Sequence, residues 1–366
     1  MLFLGVLIDS RAMRVTWPMY KRQELYDEII AAPQQSHPSL SPRGVASVVG
    51  KLRSASLIAL WGPYLSYGLA LALKLALRAA YSPLRRWWSR GKVWLTKSVR
   101  QDMACIAALL IEPEWSPVWS QYIGLLVPRD ATHTILSDAS YAGIGGWSPD
   151  FRIQWRVTRA DLIDLGFAMK IIDSYAAEPL DATSTGLHIN PLEFLGCIVN
   201  MWILLKQVQT LALCPTGYIV DLLSDNTSAL SWMKLTATTR DPRLQPLARF
   251  ASTLLVTASQ HLTRVQSRHI PGKDNIEADF LSRSENGRIP TWGRAIAQCS
   301  RLATCRICLL PRVLLSSMAA LISFGLTEDT YVELTTQLLT LDCVILPVGS
   351  RANDTTSSLQ AASPLI

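Results

Sequence analysis

An α/β fold, with a mixed sheet flanked by helices, is what residues 131–287 of this 366-residue chain predict. Three observations carry that expectation. Three short β-prone runs, Thr134 to Asp138, Gly143 to Trp147 and Ile153 to Val157, follow one another across turn residues, as in an antiparallel meander. An apolar helical run, Pro191 to Lys206, comes next, opened by Asn190 and with Pro191 at its first position. Gly217 to Ser224 is then a nearly continuous apolar strand, the kind buried on both faces of a sheet. The resulting order is βββαβααβα, a mixed sheet with helices on its faces.

The remaining elements of this region follow from local signals. Glycines 143, 145 and 146 in the second strand permit close approach of other backbone, and Ser148-Pro-Asp150 turns the chain into the third. Thr158 to Leu187 is irregular. A short helix follows Asn226 and a longer one covers Pro242 to Ser259. A strand from Leu262 to Ser267 and a helix from about Asn275 complete the domain.

Upstream, Leu2 to Ile8 reads as one apolar strand, Met13 to Trp17 as another, and Lys21 to Ile30 as a helix. A Pro- and Ser-rich connector, Pro33 to Pro42, leads to apolar helical segments over Val45 to Leu77. The chain is expected to divide into a front part at 1–101, a linker at 102–130, the α/β domain at 131–287 and a tail of unassigned role at 288–366, with Thr355 to Ile366 disordered.

Composition adds constraints. The chain is 49% hydrophobic and 17% charged, with mean hydropathy +0.21, where about 25% charge is ordinary. Ser54 to Leu73 is a 20-residue uncharged stretch, long enough to span a bilayer. Gly62-Pro63 interrupts it, so two packed helices account for it as well as one span, and a membrane role is the weakest reading. Val313 to Thr327 reads as a buried or interfacial helix. No signal peptide is expected, because Met1-Leu-Phe-Leu-Gly-Val-Leu has no basic region, meets Asp9 early and lacks a small-residue cleavage site, and seven cysteines, an odd number, do not form a disulfide framework. An intracellular setting, cytoplasmic or nuclear, is therefore expected. Cys305-x-x-Cys308, with Cys299 nearby, lacks the second pair that a zinc site needs.

The net charge of +7 is localised. Lys74 to Arg100 holds eight basic residues and no acidic one, and Arg85, Arg86, Arg90 and Lys92 interleave with Trp87, Trp88 and Trp94. Cations alternating with flat aromatic faces suit a groove that tracks a nucleic-acid backbone; an amphipathic linker packed on a neighbour suits the same residues.

Four acids stand at element boundaries: Asp138, Glu193, Asp225 and Asp279. If the first and fourth strands are neighbours, such positions converge on one rim, where clustered carboxylates repel unless divalent cations neutralise them. Each also has a local explanation: Glu193 as a capping box on its helix, Asp225 as a helix opener, Asp138 as a turn former.

Four sequence blocks resemble the ribonuclease H domain of retrotransposon reverse transcriptases, in the order of that family and across about residues 131 to 285. They are Ser137-Asp138-Ala-Ser with Gly145-Gly-Trp147, Asn190-Pro-Leu-Glu193-Phe, Ser224-Asp225-Asn-Thr-Ser-Ala229, and His269-Ile-Pro-Gly-Lys-Asp-Asn275-Ile-Glu-Ala-Asp279-Phe-Leu-Ser-Arg283. The resemblance implies a ribonuclease H-like mixed sheet of three antiparallel strands plus parallel ones. It implies Mg²⁺-dependent hydrolysis of the RNA strand of RNA/DNA hybrids by two metal ions, Mn²⁺ serving as substitute, without a small-molecule cofactor. On that resemblance Asp138 bridges both ions, Asp279 helps hold the water-activating one, and Glu193 and Asp225 hold the other. His269 assists product release. Asn226 and Asn275 contact nucleic acid, Asn275 also orienting its loop.

The front part is similar to the segment following the polymerase site of reverse transcriptases, especially DIRS-like elements, through Phe3-Leu-Gly-Val6, Pro18, Lys21 and Gly50-Lys-Leu52. Fingers, most of the palm and any Tyr-x-Asp-Asp are lacking, so DNA synthesis is not expected. The rest of a retroelement polyprotein is the implied partner. The rival expectation is a catalytically inactive, nucleic-acid-binding relic.

Overall fold

The computed structural model describes residues 2–3, 5–31, 39–59, 66–79, 88, 91–113, 116, 119–127, 129–165, 189–210, 217–234, 244–261, 263–283, 300–321 and 328–348. The front part contains β1 (Leu2–Phe3), β2 (Val6–Asp9), β3 (Arg14–Thr16), α1 (Met19–Ile30), β4 (Ser39–Leu40), α2 (Pro42–Ser54), α3 (Tyr67–Ala79), β5 (Val93–Trp94), α4 (Lys97–Leu110), β6 (Ser120–Tyr122) and α5 (Ile123–Leu126). Leu2 to Ile8 is two strands rather than one. Gly5, at φ +81°, reverses the chain so that β1 pairs antiparallel with β2, a conformation open to glycine at little cost.

The segment 102–130 does not behave as a linker. Met103 and Ile106 of α4 are fully buried in one cluster with Leu25, Leu52, Leu69 and Trp119, and β6 pairs with β3. Across the uncharged stretch α2 ends at Ser54 and a second helix, α3, begins at Tyr67 and packs on α2. Gly62-Pro63 lies outside the described residues. Of the stretch itself, Ser54 closes α2, Ala55–Leu57 is a 3-10 turn and Tyr67 to Leu73 belong to α3.

The main sheet has seven strands in the order β11 (Thr263–His269), β10 (Tyr218–Ser224), β7 (His133–Ser140), β8 (Gly143–Ser148), β9 (Ile153–Thr158), β12 (Arg306–Leu309) and β13 (Val344–Leu346). β7 (His133–Ser140), β8 (Gly143–Ser148) and β9 (Ile153–Thr158) form the expected antiparallel meander. β10 (Tyr218–Ser224) joins β7 in parallel and β11 (Thr263–His269) joins β10 in parallel, so the first and fourth strands of the domain are neighbours. The helices are α6 (Arg159–Asp164), α7 (Ile189–Thr210), α8 (Thr227–Lys234), α9 (Gln245–Gln260) and α10 (Ile276–Ser282).

Helix α7 explains much of the unusual hydropathy. It packs on β7, α8 and α9, and every residue from Pro191 to Val208 is buried, so it has no polar face to show. Among the described residues it is the helix long and apolar enough to cross a membrane, yet 89% of its most apolar window is covered by protein. Trp202 of this helix and Trp155 of β9 are buried with their indole N–H groups satisfied, Trp155 by Asn200 Oδ1 at 2.8 Å and Trp202 by Leu338 O at 2.7 Å.

The sheet does not end at residue 287. β12 (Arg306–Leu309) runs parallel to β9, β13 (Val344–Leu346) antiparallel to β12, and α11 (Arg312–Leu321) and α12 (Glu328–Thr340) lie between them. Buried Leu314, Met318 and Leu338 belong to the same core cluster as α7. Residues 306–346 thus complete the α/β unit rather than trailing from it, and the expected buried helix within 313–327 is α11. The region 355–366 lies outside the described residues.

Candidate functional site

Three of the four acids meet. Asp138 lies near the end of β7, Asp225 directly after β10, and Glu193 at the fifth position of α7. Leu223 stands opposite Leu136 in the parallel ladder, and two residues further along the same register set Asp225 level with Asp138. Because α7 packs on β7, its N-terminal part brings Glu193 over that rim. One carboxylate oxygen from each of Asp138, Glu193 and Asp225 lies within 4.8 Å of the others.

Burial sets the electrostatics. Glu193 is 3% exposed and Asp138 4%. Burial, reinforced by the charges of Asp138 and Asp225, pushes the Glu193 carboxyl up to about 9, against hydrogen bonds from the Ala139 N–H and Ser224 Oγ. Burial likewise lifts Asp138 to about 7; Ser282 opposes the rise, and Asp225 and Asp279 add to it. Desolvation first, and mutual proximity second, bias Glu193 strongly and Asp138 partly toward the protonated form near neutrality.

The supports around Asp138 are specific. Ser282 Oγ donates to Asp138 Oδ2 at 2.5 Å, and Asn275 Nδ2 donates to Ser137 O at 3.1 Å. Helix α10 reaches this position because Gly145, opposite Asp138, has no side chain: a Cβ there would sit 2.5 Å from Leu281 Cβ. Gly272 does the same for Asp225, since a Cβ on it would stand 2.8 Å from Asp225 Oδ2.

Asp279 is not one of the three converging acids. Its Oδ1 takes the Nε of Arg283 at 2.5 Å, one helical turn on, although its charge is felt at Asp138. Arg283 is the nearby cation, and its guanidinium is held further toward the charged form by Asp279 first and by Asp138 and Asp225 beyond. The capping-box explanation of Glu193 gives way to the cluster: the helix begins at Ile189, and the carboxylate turns to Ala139 and Ser224.

His269 ends β11, exposed, opposite Ser224 in the parallel register and therefore on the same rim as Asp225. The two asparagines make local contacts. Asn275 is fully buried and donates to Ser137 O, which ties its loop to β7 in the orienting role expected of it. Asn226 spends its amide on Asn190 Oδ1 at 2.9 Å and its carbonyl on the Ala229 N–H at 3.0 Å, fastening the start of α8 to α7. Of the basic arm, Arg85, Arg86, Trp87 and Arg90 lie outside the described residues. Trp88 is exposed, and Lys92 Nζ stands 5.8 Å above the Trp94 ring. Cys305 and Cys308 are buried in separate clusters, with no metal-ligand convergence around them among the described residues.

Ser224, Gly272, Ser282 and Arg283 are site residues to which the sequence alone assigns no role. Ser282 and Arg283 carry a signal, their i+3 and i+4 spacing from Asp279, which puts all three on one helix face. The three oxygens of Asp138, Glu193 and Asp225 are hard, anionic and mutually close, a donor set suited to Mg²⁺ or Mn²⁺. No protein-family model, no curated protein and no solved structure matches this chain.

Proposed function

We propose that the chain is a metal-dependent ribonuclease H-type endonuclease that hydrolyses the RNA strand of RNA/DNA hybrids, within a fragment of a retroelement reverse transcriptase. The observation that carries this reading is the convergence of Asp138, Glu193 and Asp225 within 4.8 Å at the rim where two parallel strands end. The sheet order supports it, since the antiparallel meander with two further parallel strands beside β7 is the arrangement expected of a ribonuclease H-like domain.

Asp138, Glu193 and Asp225 would hold divalent cations, with Asp279 joining once released from Arg283. Bound cations supply charge neutralisation at the phosphodiester and a water acidified enough to attack it. The chain's own groups do the positioning. Ser282 and the Asn275 anchor hold Asp138 in place, Gly272 leaves the Asp225 carboxylate its room, and His269 on the open rim is assigned to product release. Trp88, Lys92 and Trp94 of the arm bind the hybrid, through phosphates and stacking and with little sequence preference.

The test is cleavage of a labelled RNA/DNA hybrid by purified protein with Mg²⁺. The RNA strand is expected to be cut and a matching DNA duplex left whole, with Asp138→Asn abolishing cutting but not hybrid binding. A hybrid left intact by the unmodified protein overturns the enzyme reading. If that protein still binds the hybrid in a salt-sensitive way, the inactive relic takes its place.

A further inference from the structure

Away from the carboxylates, two cysteines meet at the far edge of the main sheet. Cys308 lies in β12 and is 1% exposed, and Cys343 directly precedes β13 and is half-buried. The antiparallel register sets Cys308 opposite Ile345, so Cys343, two residues before Ile345, falls on the same side of the ladder. Their thiols are hydrogen-bonded to each other. Neither is in a disulfide.

The surroundings differ for the two sulfurs. The hydrogen bond from Cys308 holds the Cys343 thiol below its ordinary value; burial and Asp342 oppose this, and Lys206 assists. Lys206 is a buried cation at the end of α7, its Nζ 2.8 Å from Leu339 O and 3.6 Å from Asp342 Oδ1. Cys308 shifts the other way, kept as a thiol by the same hydrogen bond and by burial. The pair therefore consists of one partly accessible sulfur, Cys343, and one buried sulfur beside it, Cys308.

We propose that Cys343 and Cys308 form an oxidisable dithiol whose reagent is a hydroperoxide, with Cys343 as the attacking sulfur and Cys308 as the resolving one. The Cys343 thiolate attacks the terminal oxygen of the peroxide. The O–O bond breaks, its electron pair leaves on the departing oxygen, which takes a proton as water or alcohol, and Cys343 becomes a sulfenic acid. The Cys308 sulfur, losing its proton, then attacks the Cys343 sulfur; the S–S bond forms and the hydroxyl leaves as water. Two thiols lose two electrons and the peroxide gains them. The product ties the strand entering α11 to the strand leaving α12 across the sheet edge.

The experiment uses the full chain, reduced, exposed to increasing hydrogen peroxide, alkylated and cut with trypsin without reductant. Cleavage after Arg306, Arg312 and Arg351 puts the two cysteines on separate peptides, 307–312 and 313–351. The expected result is a cross-link joining those peptides, lost on reduction, with both thiols protected from alkylation before Cys105, which is also half-buried. In Cys308→Ser protein, dimedone is expected to trap the sulfenic acid on Cys343. Oxidation of Cys105 at or before Cys343, or no 307–312 to 313–351 link in the unmodified chain, overturns the proposal.

Discussion

Replacing Glu193 by glutamine should stabilise the metal-free protein, and by an amount that depends on pH. In the folded chain the carboxyl sits at about 9 against an ordinary value of 4.5. Between those values the folded state holds a proton that the unfolded state has released, so stability falls as pH rises through that window and levels off above it. Each pH unit is worth about 1.36 kcal/mol, so at about pH 7.5 the three-unit gap from the ordinary value costs the fold about 4 kcal/mol. Glutamine keeps the shape and the acceptor for Ala139 N–H while removing the titration. Urea unfolding with chelator should therefore show Glu193→Gln more stable than the unmodified protein by up to about 4 kcal/mol near pH 7.5, and nearly equal to it near pH 4.5. Mg²⁺ should narrow the difference, because a ligand at about 100 times its Kd adds about 2.7 kcal/mol to the chain that binds it. A Glu193→Gln chain that is less stable at both pH values, or whose stability difference does not change with pH, refutes the reasoning that burial and its neighbouring acids load this carboxyl.

Other substitutions probe the same geometry. Gly272→Ala should leave the melting temperature nearly unchanged, since only the end of the Asp225 side chain stands in the way of the new Cβ, but weaken Mn²⁺ binding several-fold in a calorimetric titration. Gly145→Val should destabilise the fold by about 1–3 kcal/mol in denaturant unfolding, because the clash with Leu281 falls between an element of the sheet and helix α10. Arg283→Gln should raise Mn²⁺ affinity a few-fold by freeing Asp279; the pair is largely exposed and worth about 0.2–1 kcal/mol. Titration of both proteins with Mn²⁺ checks it, and equal affinity would show that Arg283 does not compete for Asp279.

How far each feature is legible in the amino-acid sequence depends on the range of the interactions that form it. The strands of 134–283 and most of its helices announce themselves as apolar runs bounded by turn residues, whereas α6, capped by Thr158, lies in a stretch that reads as irregular. Asp138, Glu193 and Asp225 stand out because acids at the ends of apolar elements are conspicuous. Features that depend on distant partners leave no such mark. Nothing local to Arg306–Leu309 says that it will lie parallel to β9, so the sheet expected from sequence is two strands short. The fold-back of β1 on β2 turns on the single positive φ of Gly5, which an apolar run conceals. Asn226 and Asn275 sit in polar, loop-like sequence that suits ligand contact, yet the Asn226 side chain fastens α8 to α7 and the Asn275 amide N–H fastens a loop to β7. Asp279 is visible as an acid in an apolar setting, whereas its attachment to Arg283 emerges only once the helix places the two one turn apart.

The central claim is that Asp138, Glu193 and Asp225 make a divalent-cation site. Titrating Mn²⁺ into the protein while following free Mn²⁺ by electron paramagnetic resonance tests it most directly. Saturable depletion of the free-ion signal by the unmodified chain, and its loss in Asp138→Asn, is the expected result. Identical free Mn²⁺ with both proteins, each shown to be folded, would contradict it.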